Sequence, residues 1–325
     1  MADHFPAGPR ALTASIRALG FRPALQSRTF TYVQGGEPDE DQRTAAIYRR
    51  FTSEWGFDYL MLDFNETDLS GVDPDRPRMQ VFRDRFRAVR QAVGPEVLVE
   101  ACMIPYGPVI GLADGYRPSL DYRGGNEDAL LGGFATRYHL HGRLFQLDTE
   151  FYDVAERPFV WSERRVVTPT AGTRAWVSLC ALTGYSFLFG GAVEETSDER
   201  WHIATRALPV TGLAARPLDL ASSALPGVWS LAVGAAHPRR QTVGLFNWDY
   251  RATRVVGVAL ERCGLPAGTT FAAFDFWAQR FLGEAGERLE ARLAPRNGQV
   301  VRLRVPTGPG EAAWAVTLDP ASRVS

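Results

Sequence analysis

The sequence predicts an α/β chain in two parts: parallel strands each preceded by a helix, then an antiparallel β domain. Two observations carry this expectation. From about residue 11 to 191, helical patterns alternate with short apolar runs six times in succession, the pattern of parallel α/β units. Beyond about residue 208 the helical pattern stops, and alternating strands separated by turn residues replace it. The predicted division is therefore 1–208, a partial parallel α/β domain, and 209–325, a C-terminal antiparallel β domain.

Each element has its own signal. ALTASIRALG has helical spacing and leads into the strand FRPALQS; DEDQRTAAIYRRFTSEWG leads into DYLMLDF, and MQVFRDRFRAVRQAVG into EVLVEAC. PVIGLADG is expected to turn into a strand YRPSLDY, NEDALLGGFATRYHLHG to precede LFQLDTE, and TPTAGTRAWVSLCALTG to precede YSFLFGG. ALPVTGLAARPLDLASSALPG has the Pro, Gly and Ser content of a connector. After it VWSLAVGA, QTVGLFNWD, ATRVVGVAL, TFAAFDFW, QVVRLRVP and AWAVTLD read as strands.

Composition narrows the function classes. The 325 residues are 45% hydrophobic and 22% charged, with 8 Trp and 19 Phe, which argues for a packed core and against disorder. Formal net charge is -1, and no basic stripe is interleaved with aromatics, so no nucleic-acid or anionic-membrane footprint is visible. All 36 basic residues are arginine, so a phosphate loop of the GxxxxGK type is ruled out, and no GxGxxG stands at a strand-helix junction. Cys102, Cys180 and Cys263 make neither a metal spacing nor a disulfide framework, which fits a reducing compartment. The N-terminus MADHFPAGPR lacks the charged and apolar regions of a leader, and no run approaches ~20 apolar residues. A cytoplasmic chain with no membrane span is expected.

Chemistry is sought where parallel strands end, because catalytic groups of barrels collect at that face. In GFDYLMLDFNETD, Tyr59, Met61, Asp63 and Asn65 share one side of the strand, while Leu60, Leu62 and Phe64 share the other. The first set becomes polar only at its end. Burying an unpaired charge costs several kcal/mol or more, so a carboxylate there implies something that meets it. Cys102 closes the next strand; Arg117, Ser119 and Asp121 share a face of the third by their spacing of two; Asp148 and Glu150 close the fourth. Asp63 and Asp121 would then be carboxylates from different strands, the equipment of glycoside hydrolysis: ~5–5.5 Å apart for retention, ~6.5–9.5 Å for inversion. Helix caps and loop ion pairs are the competing explanation for any single strand-end Asp.

Several motifs in order resemble the melibiase-type α-galactosidases, a glycoside hydrolase family related to the raffinose synthases. WGFDYLMLDFN is similar to the family's nucleophile strand, EACMIPYGPVIGLADGYRPSLD to its Cys-Gly-x-Pro segment and Arg-x-x-x-Asp strand, and HGRLFQLDTEFY to its Asn-Asp-Pro-Asp strand. VGLFNWD and FDFW match its C-terminal aromatic stretches. The resemblance implies a (β/α)8-type barrel followed by a β-sandwich, acting on α-galactosides by a retaining mechanism without metal or organic cofactor. It also implies Asp63 as nucleophile, Asp121 as acid/base, and Asn65, Cys102 and Arg117 as sugar contacts, with Met61, Asp148 and Glu150 in further substrate-binding positions.

The departures are as specific. Met61 stands where the family has a lysine, and a thioether accepts weakly and donates nothing. Gly190 and Gly191 stand where the family often has Ser-Asp. By the family's order FRPALQS resembles the third barrel strand, so about six α/β units are expected and the barrel is incomplete. An N-terminally truncated version of a longer protein, an upstream partner segment or homo-oligomer that covers the open edge, and a decayed enzyme are the alternatives this leaves. The second functional expectation is accordingly an impaired remnant or carbohydrate-binding protein, and the third is transglycosylation or another α-sugar. Three further features are read as structural: the His139-x-His141 pair as packing or capping, Trp248 and Trp277 as core aromatics, and Asn65-Glu66-Thr67 as a sequon without consequence.

Overall fold

The structure is a computed structural model that describes residues 5–28, 40–63, 75–102, 104–122, 126–156, 167–191, 193–233 and 240–304. Two compact units make up the chain: Met1–Pro118 with Arg143–Asp148, and Ser119–Gly142 with Thr149–Ser325. In chain order α1 (Gly8–Ala18) leads into β1 (Ala24–Arg28), α2 (Glu40–Arg49) into β2 (Tyr59–Asp63), and α3 (Arg78–Val93) into β3 (Leu98–Ala101). A 3-10 turn at Gly107–Val109 precedes β4 (Gly115–Tyr116), α4 (Glu127–Arg137) precedes β5 (Gln146–Asp153), and α5 (Thr170–Thr183) precedes β6 (Ser186–Gly190). These strands form one sheet in sequence order, β1-β2-β3-β4-β5-β6, the incomplete (β/α)8-type layout that the sequence predicts.

In the first unit the sheet has two unlike faces. Leu60, Leu62, Val99, Ala101, Tyr116 and Leu147 are all buried, as is the α3 stripe Val81, Phe82, Arg85, Phe86 and Val89, whose spacing follows the helical period. Gly94, at φ 78°, closes α3 in a conformation that costs other residues more. The opposite face carries Tyr59, Met61 and Asp63, as the period of two requires.

The second unit adds α6 (Asp198–Arg206), capped by Ser197 Oγ accepting from Arg200 N at 3.4 Å. Then come β7 (Arg216–Pro217), β8 (Val228–Ala232), β9 (Arg240–Asn247), β10 (Arg254–Ala259), β11 (Phe271–Asp275), β12 (Arg280–Ala285), β13 (Arg288–Leu293) and β14 (Asn297–Arg304). They form a six-stranded sheet, β12-β11-β14-β9-β8-β7, and a second sheet of β10 and β13, with antiparallel pairing throughout. Val243, Leu245, Phe271, Val301 and Leu303 of the large sheet pack against Val258, Leu289 and Leu293 of the small one, which makes this a β-sandwich. The large sheet's other face meets α5 through the stacked Phe246 and Trp248 and the edge-on Trp176. Gly244 and Gly298 make room there: a Cβ at either would fall within 2.6 Å of the Phe246 ring.

Four details differ from the sequence expectations. PVIGLADG gives only the 3-10 turn, and β4 stops at Tyr116. Arg117, Ser119 and Asp121 therefore do not share a strand face, because Pro118 has no N–H to continue the ladder. Asp148 and Glu150 do not close their strand, which runs on to Asp153; Glu150 sits inside it with φ 61°. β7, β12 and β13 were not foreseen, their sequences being short or highly charged. The predicted strand AWAVTLD, like Asn65, lies outside the described residues. No helix among those described is long and apolar enough to cross a membrane.

Candidate functional site

The polar face of the first unit is ordered into two rows by strand register. Gln26 pairs with Met61, Met61 with Glu100, Glu100 with Gly115, and Gly115 with Gln146, which makes a lower row. One step toward the carboxyl ends, Arg28 pairs with Asp63. The ladder continues one residue beyond β3 and β4, since Cys102 N donates to Leu62 O at 3.0 Å and Arg117 N donates to Ala101 O at 3.1 Å. The registers two residues back then put Asp63, Cys102, Arg117 and Asp148 in an upper row, one from each of four neighbouring strands. Backbone hydrogen bonds hold these side chains, so their spacing is fixed by the sheet rather than by loops.

Side chains cross between the rows. Gln26 Nε2 donates upward to Asp63 Oδ2. The Arg117 guanidinium reaches down, with Nη2 3.3 Å from Met61 Sδ, while its Nε lies 3.9 Å from Asp148 Oδ1. Below them Tyr59 donates its phenol to Glu100 Oε2. Asp63, Glu100, Arg117 and Asp148 are each no more than 4% exposed. Cys102 is surrounded by them: burial pushes its thiol well above the ordinary range, Arg117 works against the shift, and Asp63, Asp148 and Glu100 add to it. Gly115 completes the arrangement, because a Cβ there would stand 3.0 Å from Glu100 Cγ.

Of the residues singled out by sequence, Asp63, Met61, Cys102, Arg117 and Asp148 come together in this cluster. Asp121 and Glu150 belong to the second unit. There Asp121 is half-buried in a loop and its carbonyl accepts from Asn126 Nδ2 at 2.9 Å, while Glu150 is fully buried. Gly191, at φ 86°, lies against Asp153, whose carboxylate a Cβ would meet at 2.4 Å, so the glycine makes room for an acid from the neighbouring strand. His141 is buried and its Nε2 lies 3.2 Å from Gly212 O; Trp248 is buried in the core, and Trp277 is partly exposed.

Sequence reasoning missed Gln26 and Glu100. The signal for Glu100 was the one used for Asp63, a carboxylate inside an apolar run, LVEAC, on a strand buried between neighbours. Taken together the rows offer carboxylate acceptors beside a guanidinium donor, the complement of hydroxyl groups that both donate and accept.

Among the solved structures similar to this one are several glycosidases. A GH27 β-L-arabinopyranosidase from Geobacillus stearothermophilus superposes with TM-score 0.72 at 17% identity, over 93% of this chain and 78% of its own. The fold is that of the GH27 glycosidases. α-Galactosidase I from Mortierella vinacea gives TM-score 0.69 at 13% identity, covering 92% of this chain and 81% of its own. The α-galactosidase of Saccharomyces cerevisiae gives 0.66 at 14%, covering 93% and 84%. A variant of the Geobacillus enzyme has been solved with arabinose, and the yeast enzyme with raffinose. No family model and no curated protein matches the sequence.

Proposed function

We propose that this chain is a retaining glycoside hydrolase acting on terminal α-galactosides or close relatives, with Asp63 as nucleophile and Asp121 as acid/base. The observation that carries the reading is the upper row. A buried carboxylate ends β2, oriented by Gln26, in register with Cys102, Arg117 and Asp148 at the carboxyl ends of parallel strands. In this mechanism Asp63 attacks the anomeric carbon as Asp121 protonates the departing oxygen, and Asp121 then deprotonates the water that releases the sugar. Arg117 and Asp148 hold ring hydroxyls. A reducing cytoplasm, in which Cys102, Cys180 and Cys263 stay as buried thiols, is the proposed compartment.

The test uses dinitrophenyl α-galactoside and dinitrophenyl β-L-arabinopyranoside, sugars that share ring configuration and differ by one hydroxymethyl group. Hydrolysis should be abolished in Asp63→Ala. Azide should rescue Asp63→Gly to give the β-galactosyl azide, and Asp121→Ala to give the α-azide. Turnover that survives Asp63→Ala overturns the assignment.

A second reading, a sugar-binding protein without turnover, is favoured by one observation. Residue 61 supplies a thioether where the resembling family supplies an ammonium donor, a loss of ~1–3 kcal/mol for one sugar hydrogen bond. Galactose binding by calorimetry with no product from either aryl glycoside would select it.

A further inference from the structure

The second unit contains a cleft of about 460 Å³ between the C-terminal half of α5 and the face of the large sheet that α5 covers. Ala181, Leu182 and Leu231 form its apolar wall, and the rings of Phe276 and Trp277 form one end. Among its charged lining is Arg206, and no Asp or Glu is among the described lining residues.

Arg206 is the informative group. Its guanidinium carbon sits 4.5 Å from the Phe276 ring centre and 5.2 Å from that of Trp277, and Nη2 donates to Phe276 O at 3.0 Å. No carboxylate is paired with it among the described residues. Burial and the neighbouring Arg174 both lower its affinity for its proton. A cation stacked on two rings and drawn out of water is stabilised by an anion that brings its own apolar surface. The polar groups nearby do not supply that anion, since Trp277 Nε1 donates to Ser178 Oγ at 2.7 Å and Gln241 Nε2 to Ser230 Oγ at 2.6 Å.

We propose that this cleft is a binding site for a small amphipathic monocarboxylate, with the apolar body against α5 and the sheet and the carboxylate at Arg206. Charge complementarity selects this occupant: the Arg206 guanidinium stands at the Phe276 and Trp277 end, and Leu182, Leu231, Val233 and Val300 offer an apolar surface to the rest of the ligand. The inference is independent of the glycosidase reading, because none of these residues takes part in that chemistry.

Octanoate and octan-1-ol test it on the full chain by isothermal titration calorimetry. Octanoate should saturate one site and bind at least tenfold more tightly than the alcohol. Arg206→Gln should abolish that preference while leaving the circular dichroism spectrum unchanged. Should that variant unfold, Ala181→Phe fills the cleft from its apolar wall and should remove binding of both probes. Equal affinity for acid and alcohol, no saturable octanoate binding by the wild type, or full octanoate binding by Ala181→Phe would overturn the proposal.

Discussion

Arg117 is the buried cation of the upper row, and its removal gives the sharpest test of how that row is held. Its guanidinium lies 3.9 Å from Asp148, and both side chains are almost fully buried, at 3% and 1% exposure. At that separation and an effective dielectric of about 20, the pair attraction is about 4 kcal/mol. Arg117→Leu keeps much of the apolar stem but takes the guanidinium away from the buried Asp148, so a destabilisation of about 3–5 kcal/mol is expected, the usual cost of breaking a buried pair. The decisive quantity is the coupling in a double-mutant cycle with Asp148→Asn, measured by urea unfolding at pH 7. Once the acid is neutral, loss of the arginine should cost about 2 kcal/mol less than it does alone. Additive single-mutant costs would mean that the two charges do not support one another, and the ordered row would lose its electrostatic explanation.

Three other outcomes follow from the same geometry. Gly115→Ala brings a methyl 3.0 Å from Glu100 Cγ and should cost about 1–3 kcal/mol in chemical denaturation; adding Glu100→Ala should restore most of it, and a cost unchanged by that second substitution would refute the contact. Burial keeps the Cys102 thiol protonated far above its ordinary range, so iodoacetamide at pH 8 should leave it unmodified in the folded chain and label it in urea, as read by peptide mass spectrometry. Glu127→Gln removes the buried partner of Arg296, which retains its stacking on Tyr250 at 4.4 Å; a loss of about 3 kcal/mol in urea unfolding is expected, against less than about 1 kcal/mol were the pair behaving as a surface bridge.

What the sequence made legible was governed by periodicity. Leu60 and Leu62 against Met61 and Asp63 is an alternation that only a strand buried on one face and polar on the other explains, and the structure has it. The α3 stripe was equally plain. The failures came where a single residue overrides the pattern. Pro118 ends β4 after two residues and breaks the spacing of two that would align Arg117 with Asp121 on a longer strand. Glu150, at positive φ, continues a strand through a conformation that its residue type gives no reason to expect. The rows themselves were invisible, because they depend on register between strands that lie tens of residues apart, and no local pattern encodes which residue of LVEAC stands beside Met61.

Register also changes what Met61 means. Considered alone, methionine in place of lysine is the loss of a donor. Its neighbours in the lower row are Gln26, whose amide is turned to Asp63, and Glu100, which accepts from Tyr59, while the Arg117 guanidinium descends from the upper row to within 3.3 Å of the sulfur. An ammonium at position 61 would meet that guanidinium, and two like charges about 4 Å apart repel by about 4 kcal/mol at the same effective dielectric. A thioether is polarisable and uncharged, so it tolerates the approach. Met61 and Arg117 thus suit one another: the buried positive charge is carried on residue 117, and the side chain that it approaches at residue 61 is uncharged.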